Sequence, residues 1–165
     1  MNNLTIRSAE FDDDDAIWRV IEPAFRAGET YPIPRDIGPA DALAYWRAPG
    51  HSVFVAQEGD SGEIVGTYYL RANHRGGGSH VANCGYIVSP TAMGKGVARA
   101  MCAHSLEAAR ERGFHAMQFN FVIASNERAV RLWQNLGFAA VGRLPAVFEH
   151  PRLGPVDALV MHRRL

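Results

Sequence analysis

The sequence predicts a mixed α/β (α+β) domain, residues 1–165, with seven strands. Three features of the chain predict this fold class. Its length of 165 residues is usual for a single domain, and an apolar content of 47% is enough for a core. Short alternating or apolar runs, typical of strands, are interspersed with longer helical patterns. Their order is β-α-α-β-β-β-α-β-α-β-β, which fits a mixed sheet covered by helices.

The first half of the chain supplies four strands and two helices. The strands are predicted at residues 4–9, 52–58, 63–72 and 80–88, and the turn Gly59 to Gly62 ("GDSG") joins the middle two into a hairpin. A helix starts near Phe11, and its acidic run favours capping over a metal site because no His or Cys adjoins it. A Pro- and Gly-rich loop (residues 27–39) then precedes a short helix at residues 40–48.

The second half alternates strands with helices. A helix is predicted from about Gly96 to Arg112, and a second is capped near Asn126 and stopped by Gly137. Between them, residues 116–123 alternate strictly, so we expect Met117, Phe119 and Phe121 on one face and Gln118, Asn120 and Val122 on the other. The last two strands are predicted at residues 139–144 and 156–164, with "EHPRLG" (149–154) as a loop between them.

Composition narrows the function classes. Lys plus Arg and Asp plus Glu number 17 each, which argues against a general nucleic-acid-binding protein. No apolar run approaches a membrane span, and no signal peptide is recognisable, so we expect a cytoplasmic protein without membrane contact. Cys84 and Cys102 lie in apolar segments and are interpreted as buried thiols. The seven histidines show no metal-ligand spacing, so no metal is expected.

A glycine loop follows the fourth strand. Gly94-Lys95-Gly96 fits neither the P-loop spacing nor the dinucleotide fingerprint, but it retains the feature that both share. Backbone N–H groups at a helix N-terminus, unobstructed by side chains, can bind an anion. The alternative is that Gly94 and Gly96 only form a tight turn between strand and helix.

Two motifs resemble those of the GCN5-related N-acetyltransferase superfamily. Met93-Gly94-Lys95-Gly96-Val97-Ala98 is similar to the family loop Gln/Arg-x-x-Gly-x-Gly/Ala, with Met93 in place of Gln/Arg. The second motif has Asn opening a helix, then Ala, an aromatic residue and Gly-Phe at family spacing. Its positions here are Asn126, Ala129, Trp133, Gly137 and Phe138.

The resemblance implies a mostly antiparallel sheet, splayed between its fourth and fifth strands, that binds acetyl-CoA in the split. The backbone around Ile87 and Val88 would pair with the pantetheine, and the N–H near Val88 could stabilise an oxyanion. Asn126 and Trp133 would border the thioester. The pyrophosphate would lie on the main chain from Met93 to Arg99, with charge from Lys95 and Arg99; this segment is Met93, Gly94, Lys95, Gly96, Val97, Ala98 and Arg99.

The catalytic centre departs from the family pattern. Many relatives carry a Tyr where this chain has Trp133, whose indole cannot supply a proton, and a Glu on the fourth strand, where this chain has none. Asn83 and Asn120 are therefore the predicted substrate-positioning residues, because asparagine is disfavoured inside strands. Cys84 is interpreted as a buried thiol and not as a nucleophile. Fallback candidates for a base are Glu149, His150, Glu29 and Tyr31.

The acceptor predicted from this pattern is the amine of a small molecule. "NCGYIVSP" and "FNFV" are similar to the fungal acetyltransferases of proline analogues, which implies an amino or imino acid. The alternatives are acetylation of a protein or peptide, and an acyl-CoA sensor without catalytic activity. The resemblance is also compatible with a homodimer.

Overall fold

The computed structural model describes residues 4–59 and 61–165. Within these ranges the strands and helices follow the predicted order; Asp60, in the predicted turn at residues 59–62, lies outside them, as do residues 1–3 of the predicted domain. The strands are β1 (Leu4–Ser8), β2 (Ser52–Glu58), β3 (Glu63–Ala72), β4 (Val81–Val88), β5 (Ala116–Ile123), β6 (Ala139–His150) and β7 (Gly154–Arg164). The helices are α1 (Asp14–Ala27), α2 (Pro39–Trp46), α3 (Val97–Glu111) and α4 (Glu127–Asn135).

One sheet contains all seven strands in the order β1-β2-β3-β4-β5-β7-β6. Adjacent strands are antiparallel, except that β4 and β5 run parallel. The predicted mixed, mostly antiparallel sheet is therefore confirmed. The parallel pair follows from the connection through α3, because a crossover helix returns the chain to the end of the sheet at which β4 began.

The sheet is covered on both faces. Helices α1 and α2 pack on one face through Ile17, Phe25 and Trp46, which are fully buried. Helix α3 packs on the other face through Met101 and Cys102. On β4 the side chains of Asn83, Gly85 and Ile87 face α1 and α2, because Ile87 belongs to their cluster and the strand alternates.

The sheet splays between β4 and β5. Only Val81 and Ala82 of β4 are in register with β5, opposite Ala116 and Met117. From Asn83 onward the two strands diverge while each keeps its outer neighbour. The predicted split therefore exists, with its closed end at Ala82.

Two sequence predictions were wrong. Phe121 does not share a face with Met117 and Phe119, because a bulge between Phe119 and Val122 shifts the pleat and places Val122 there instead. Phe121 packs with Phe148 in a separate small cluster. Strand β6 does not end at residue 144 but continues to His150, since an edge strand tolerates Pro145 at an irregular position.

Candidate active site

The glycine loop that leads into α3 contains two residues in the left-handed backbone conformation. Gly94 has φ 82° and Gly96, the N-cap residue of α3, has φ 84°. Residues with a Cβ rarely adopt such angles, so both positions require glycine for the backbone conformation alone. The loop brings the N-terminus of a 15-residue helix to the open end of the split.

The backbone donors of this loop are not equivalent. Met93 N–H donates to Pro90 O at 3.4 Å, and Lys95 N–H donates to Ala92 O at 3.3 Å, so both are partly used within the turn. Val97, Ala98 and Arg99 occupy the first turn of α3, where no intrahelical carbonyl is available to their N–H groups. Of the predicted segment, the residues from Gly96 to Arg99 therefore offer the better anion site.

Three cations surround the loop. Lys95 Nζ lies 3.5 Å from Glu58 Oε1, so part of its charge is compensated at the end of β2. Arg99 is exposed on the first turn of α3. The third, Arg128 from α4, was missed by sequence reasoning: one of its guanidinium nitrogens lies 3.5 Å from the position a Cβ would take on Gly94. Only its closeness to Asn126 in the helix motif could have suggested it.

The edge of β4 presents backbone groups to the split. Asn73 N–H donates to Val81 O and Ser89 N–H donates to Val65 O, both at 2.8 Å, so the odd-numbered residues of β4 bond β3. Antiparallel ladders alternate, and the peptide groups of Tyr86 and Val88 therefore point toward β5. Ile87, paired with Thr67, has its backbone groups engaged with β3. Of the two residues predicted to pair with pantetheine, Val88 has the suitable orientation.

Trp133 and Asn126 lie on the far side of the split. The Trp133 indole is 8% exposed and packs against Tyr86 and Phe119, with ring centroids 5.1 and 5.2 Å away. Asn126 is the N-cap of α4, because its Oδ1 accepts a hydrogen bond from Ala129 N–H at 3.3 Å. Both residues line a cavity that continues from the split.

This cavity has a volume of about 290 Å³ and lies between the α1–α2 loop and the sheet. Its wall is largely aromatic and amide in character, and among the described residues that line it only Arg71 is charged. The polar and aromatic members of the lining are Thr30, Tyr31, Tyr45, Tyr69, Asn83, Tyr86, Phe119, Asn120, Phe121, Asn126 and Trp133.

An amide network forms one end of the cavity. Asn73 Oδ1 accepts hydrogen bonds from Asn83 Nδ2 at 3.2 Å and from Asn120 Nδ2 at 2.7 Å. Gln118 Nε2 donates to Asn120 Oδ1 at 2.9 Å. Asn73, just after β3, is thus the residue that connects Asn83 and Asn120 at the closed end of the split. Sequence reasoning missed Asn73, which lies in the connection between β3 and β4.

Buried tyrosines form the opposite wall. Burial raises the pKa of Tyr31 and of Tyr69 well above the ordinary value, so both phenols stay protonated at neutral pH. Tyr31 Oη donates a hydrogen bond to the carbonyl of Tyr86 at 3.1 Å. The Tyr69 ring lies directly over Gly85, and a Cβ at position 85 would be only 2.6 Å from a ring carbon. Gly85 is therefore required for this wall to form.

Of the four fallback base candidates, Glu29, Glu149 and His150 do not line the cavity. Glu29 forms an ion pair with Arg152 at 2.7 Å, which joins the α1–α2 loop to the turn between β6 and β7. His150 is buried, and its Nδ1 accepts hydrogen bonds from the N–H groups of Arg152 and Leu153. Glu149 is exposed on β6. Tyr31 reaches the cavity, but its raised pKa makes it a hydrogen-bond donor and not a base.

The two cysteines have the properties of buried thiols. Burial raises the pKa of Cys84 to about 12 and that of Cys102 to about 11. Cys84 lines the cavity, but a thiol with this pKa is not ionised near neutrality and is a poor nucleophile.

The profile of the acetyltransferase (GNAT) family matches residues 15–138, about three quarters of the chain. A GCN5-related N-acetyltransferase from Kribbella flavida is 38% identical, with a TM-score of 0.92 and coverage of 98% of both chains. The chain therefore belongs to the GNAT family of N-acetyltransferases, as the two sequence motifs implied.

Two further relatives are also acetyltransferases by name, and one of them was solved with acetyl-CoA. The yncA protein of Salmonella typhimurium, solved with its cofactor acetyl-CoA, is 25% identical, with a TM-score of 0.84 and coverage of 99% of this chain and 94% of that one. N-acetyltransferase aca1 from Schizosaccharomyces pombe is 37% identical over 79 residues, or 48% of this chain and 38% of aca1. The match spans less than half of the length of the curated relatives.

The described residues were also compared with the requirements of a metal site and of a membrane-spanning helix. Within residues 4–59 and 61–165, no group of three or more His, Cys, Asp or Glu side chains is arranged to hold a metal ion. In the same ranges, none of the helices combines the length and apolar character required to cross a membrane.

Proposed function

We propose that this enzyme transfers the acetyl group of acetyl-CoA to the amine of a small molecule, an amino or imino acid. One observation carries the proposal: a single cavity is lined by Trp133 and Asn126 at the split and by Asn83 and Asn120 at its other end. A donor in the split and an acceptor in the cavity would therefore meet without an intervening barrier.

The residues of the split fit acetyl-CoA. The first-turn amides of α3 would hold the pyrophosphate, with Arg99 and Arg128 supplying positive charge. The Val88 backbone groups point away from β3 and would pair with the pantetheine. Bound acetyl-CoA supplies the activated thioester. The N–H of Tyr86, near Val88, also points toward β5 and lies beside Trp133, so it would donate to the thioester oxygen as negative charge develops on it.

The acceptor amine must lose a proton without a strong protein base. Among the described residues that line the cavity there is neither a carboxylate nor a histidine. Asn83 and Asn120, fixed by their shared bond to Asn73, would orient the amine and leave its proton to water. The departing thiolate is a weak base with a pKa of about 8.5, so it needs no protein acid at the Trp133 position.

The size of the cavity supports a small acceptor. Its volume of about 290 Å³ lies just below the usual range for ligand pockets, roughly 300–1,000 Å³. The α1–α2 loop lines it with Thr30, Tyr31 and Pro32, and the Glu29–Arg152 ion pair joins that loop to the β6–β7 turn. A peptide or protein chain would require a longer and more open groove.

The test is release of free CoA thiol with a panel of acceptors. The panel comprises azetidine-2-carboxylate, proline and its analogues, common amino acids, a polyamine and a peptide with a free N-terminus. We expect turnover of one or more amino or imino acids. Turnover of the peptide or polyamine alone would contradict the proposal. Acetyl-CoA binding by calorimetry without any turnover would instead identify an acyl-CoA sensor.

Variants of the amide network provide a second test. Asn120→Ala should lower kcat/KM for the acceptor by about 10- to 100-fold, because it removes a part-buried hydrogen bond and an acceptor contact. The Kd for acetyl-CoA should stay unchanged. Asn135→Ala, at an exposed asparagine at the end of α4, is the matched control. A homodimer and a cytoplasmic location stay predictions.

A further inference from the structure

Arg71 occupies a defined place in the acceptor cavity. It lies on β3 directly opposite Asn83 of β4, and both side chains line the cavity. Asn83 is five residues from Val88, a distance of about 17 Å along an extended strand. Arg71 is therefore too far from the glycine loop to serve the pyrophosphate.

The guanidinium of Arg71 has no counter-ion among the described residues. It forms no ion pair with any carboxylate in the part of the chain that the structure describes, unlike Arg7, Arg47 and Arg143. The side chain is half-buried. A half-buried cation without a partner favours a ligand that brings a negative charge.

The positive charge of Arg71 also acts on His51, next to the tyrosine wall of the cavity. Burial lowers the pKa of His51, and the charge of Arg71 lowers it further. His51 in turn stacks on Tyr69, with ring centroids 4.3 Å apart. The amide network at the other side of Arg71 is neutral and cannot compensate this charge. An acceptor that carried only an ammonium group would thus enter a region of unfavourable positive potential.

We infer that Arg71 is the residue that selects acceptors carrying a carboxylate next to the reacting amine. This inference rests on the proposed function and deepens it. The planar guanidinium matches a carboxylate with two parallel N–H···O bonds, whereas Asn83 beside it contacts the amine end. The carboxylate compensates the charge of Arg71, so a zwitterionic amino or imino acid enters without net repulsion.

The experiment compares matched acceptors that differ only in the carboxylate. Proline is paired with prolinamide, and azetidine-2-carboxylate with azetidine. In the wild-type enzyme we expect kcat/KM to favour the acid of each pair. In Arg71→Gln this preference should fall by about 10- to 100-fold, chiefly through KM, because a charge-assisted bond is lost. Arg71→Lys should retain part of the preference as a point charge.

Controls separate selectivity from folding and from donor binding. Arg75→Gln removes an exposed arginine four residues away and should leave the acid-to-amide ratio unchanged. The Kd for acetyl-CoA should be the same in all variants. An unchanged ratio in Arg71→Gln, or a wild-type enzyme that prefers the amides, would overturn the inference.

Direct binding distinguishes failure of the inference from failure of the proposed function. N-acetylproline and its amide are titrated into wild-type enzyme and Arg71→Gln by calorimetry. If no amine is turned over, but the acid binds wild type more tightly and Arg71→Gln removes that difference, the proposed function fails and the role of Arg71 stands. If neither variant distinguishes acid from amide, the role of Arg71 is refuted whatever the turnover.

Discussion

The proposed donor and acceptor regions differ in composition: the first is formed by backbone groups and the second by side chains. The donor region consists of backbone: the left-handed glycines before α3, the first-turn amides and the outward edge of β4. The acceptor region consists of side chains from β3, β4, β5 and the α1–α2 loop. A site formed by backbone groups depends little on side-chain identity, whereas a site formed by side chains changes with each replacement.

The largest expected effect comes from a Cβ in the donor loop. Gly96→Ala places a side chain at φ 84° and beside the first-turn amides, so we expect the Kd for acetyl-CoA to rise by about 10- to 100-fold. Calorimetric titration measures this, and KM for the acceptor should change little.

The matched control is Gly50→Ala, at an exposed turn with φ 87° and open space around it. It introduces the same backbone strain of about 1 kcal/mol far from the loop. An equal loss of acetyl-CoA affinity in both variants would show that strain, and not the site, is responsible.

A smaller effect, confined to the acceptor, is expected from Gly85→Ala. The new Cβ would lie 2.6 Å from the Tyr69 ring and would push it into the cavity. We expect kcat/KM for the acceptor to fall by about tenfold while the Kd for acetyl-CoA stays the same, because each 1.4 kcal/mol of lost binding is tenfold. Steady-state kinetics with each substrate varied in turn measures the two effects.

Gly142→Ala on β6 is the control, since its Cβ would meet Val160 at an ordinary 3.6 Å. A change in donor affinity in Gly85→Ala as large as the change in acceptor kinetics would remove the separation between the two regions.

The smallest expected effect concerns Cys84. With a pKa of about 12, only about one thiol in 10⁴ is ionised at pH 8. A raised pKa keeps the thiol neutral below that value, and the reactive thiolate increases only as the pH rises toward it. Iodoacetamide at pH 8 should therefore leave native Cys84 unmodified by mass spectrometry, and activity should persist. Rapid alkylation with loss of activity would instead favour a covalent role for this thiol.

Much of the fold and the whole donor loop were predictable from sequence. Alternation, helix caps and glycine stops are local signals, and they predicted the element order, the cap at Asn126 and the start of α3 near Gly96. The motif from Met93 to Ala98 is contiguous, so its proposed role in phosphate binding rests on neighbouring residues alone. The end of β6 and the face of Phe121 were predicted wrongly, because bulges and edge positions depend on the partner strand.

The sequence by itself determined the family, the glycine loop before α3 and the absence of a strand-four carboxylate, because each is a property of contiguous residues. Only the tertiary structure decided that Asn73 joins Asn83 to Asn120 and that Arg71 faces the same cavity as Trp133. These residues are separated by up to 62 positions, and chain order carries no signal for their meeting. Strand register and the splay of β4 from β5 bring them together, and both are set by packing of the whole sheet.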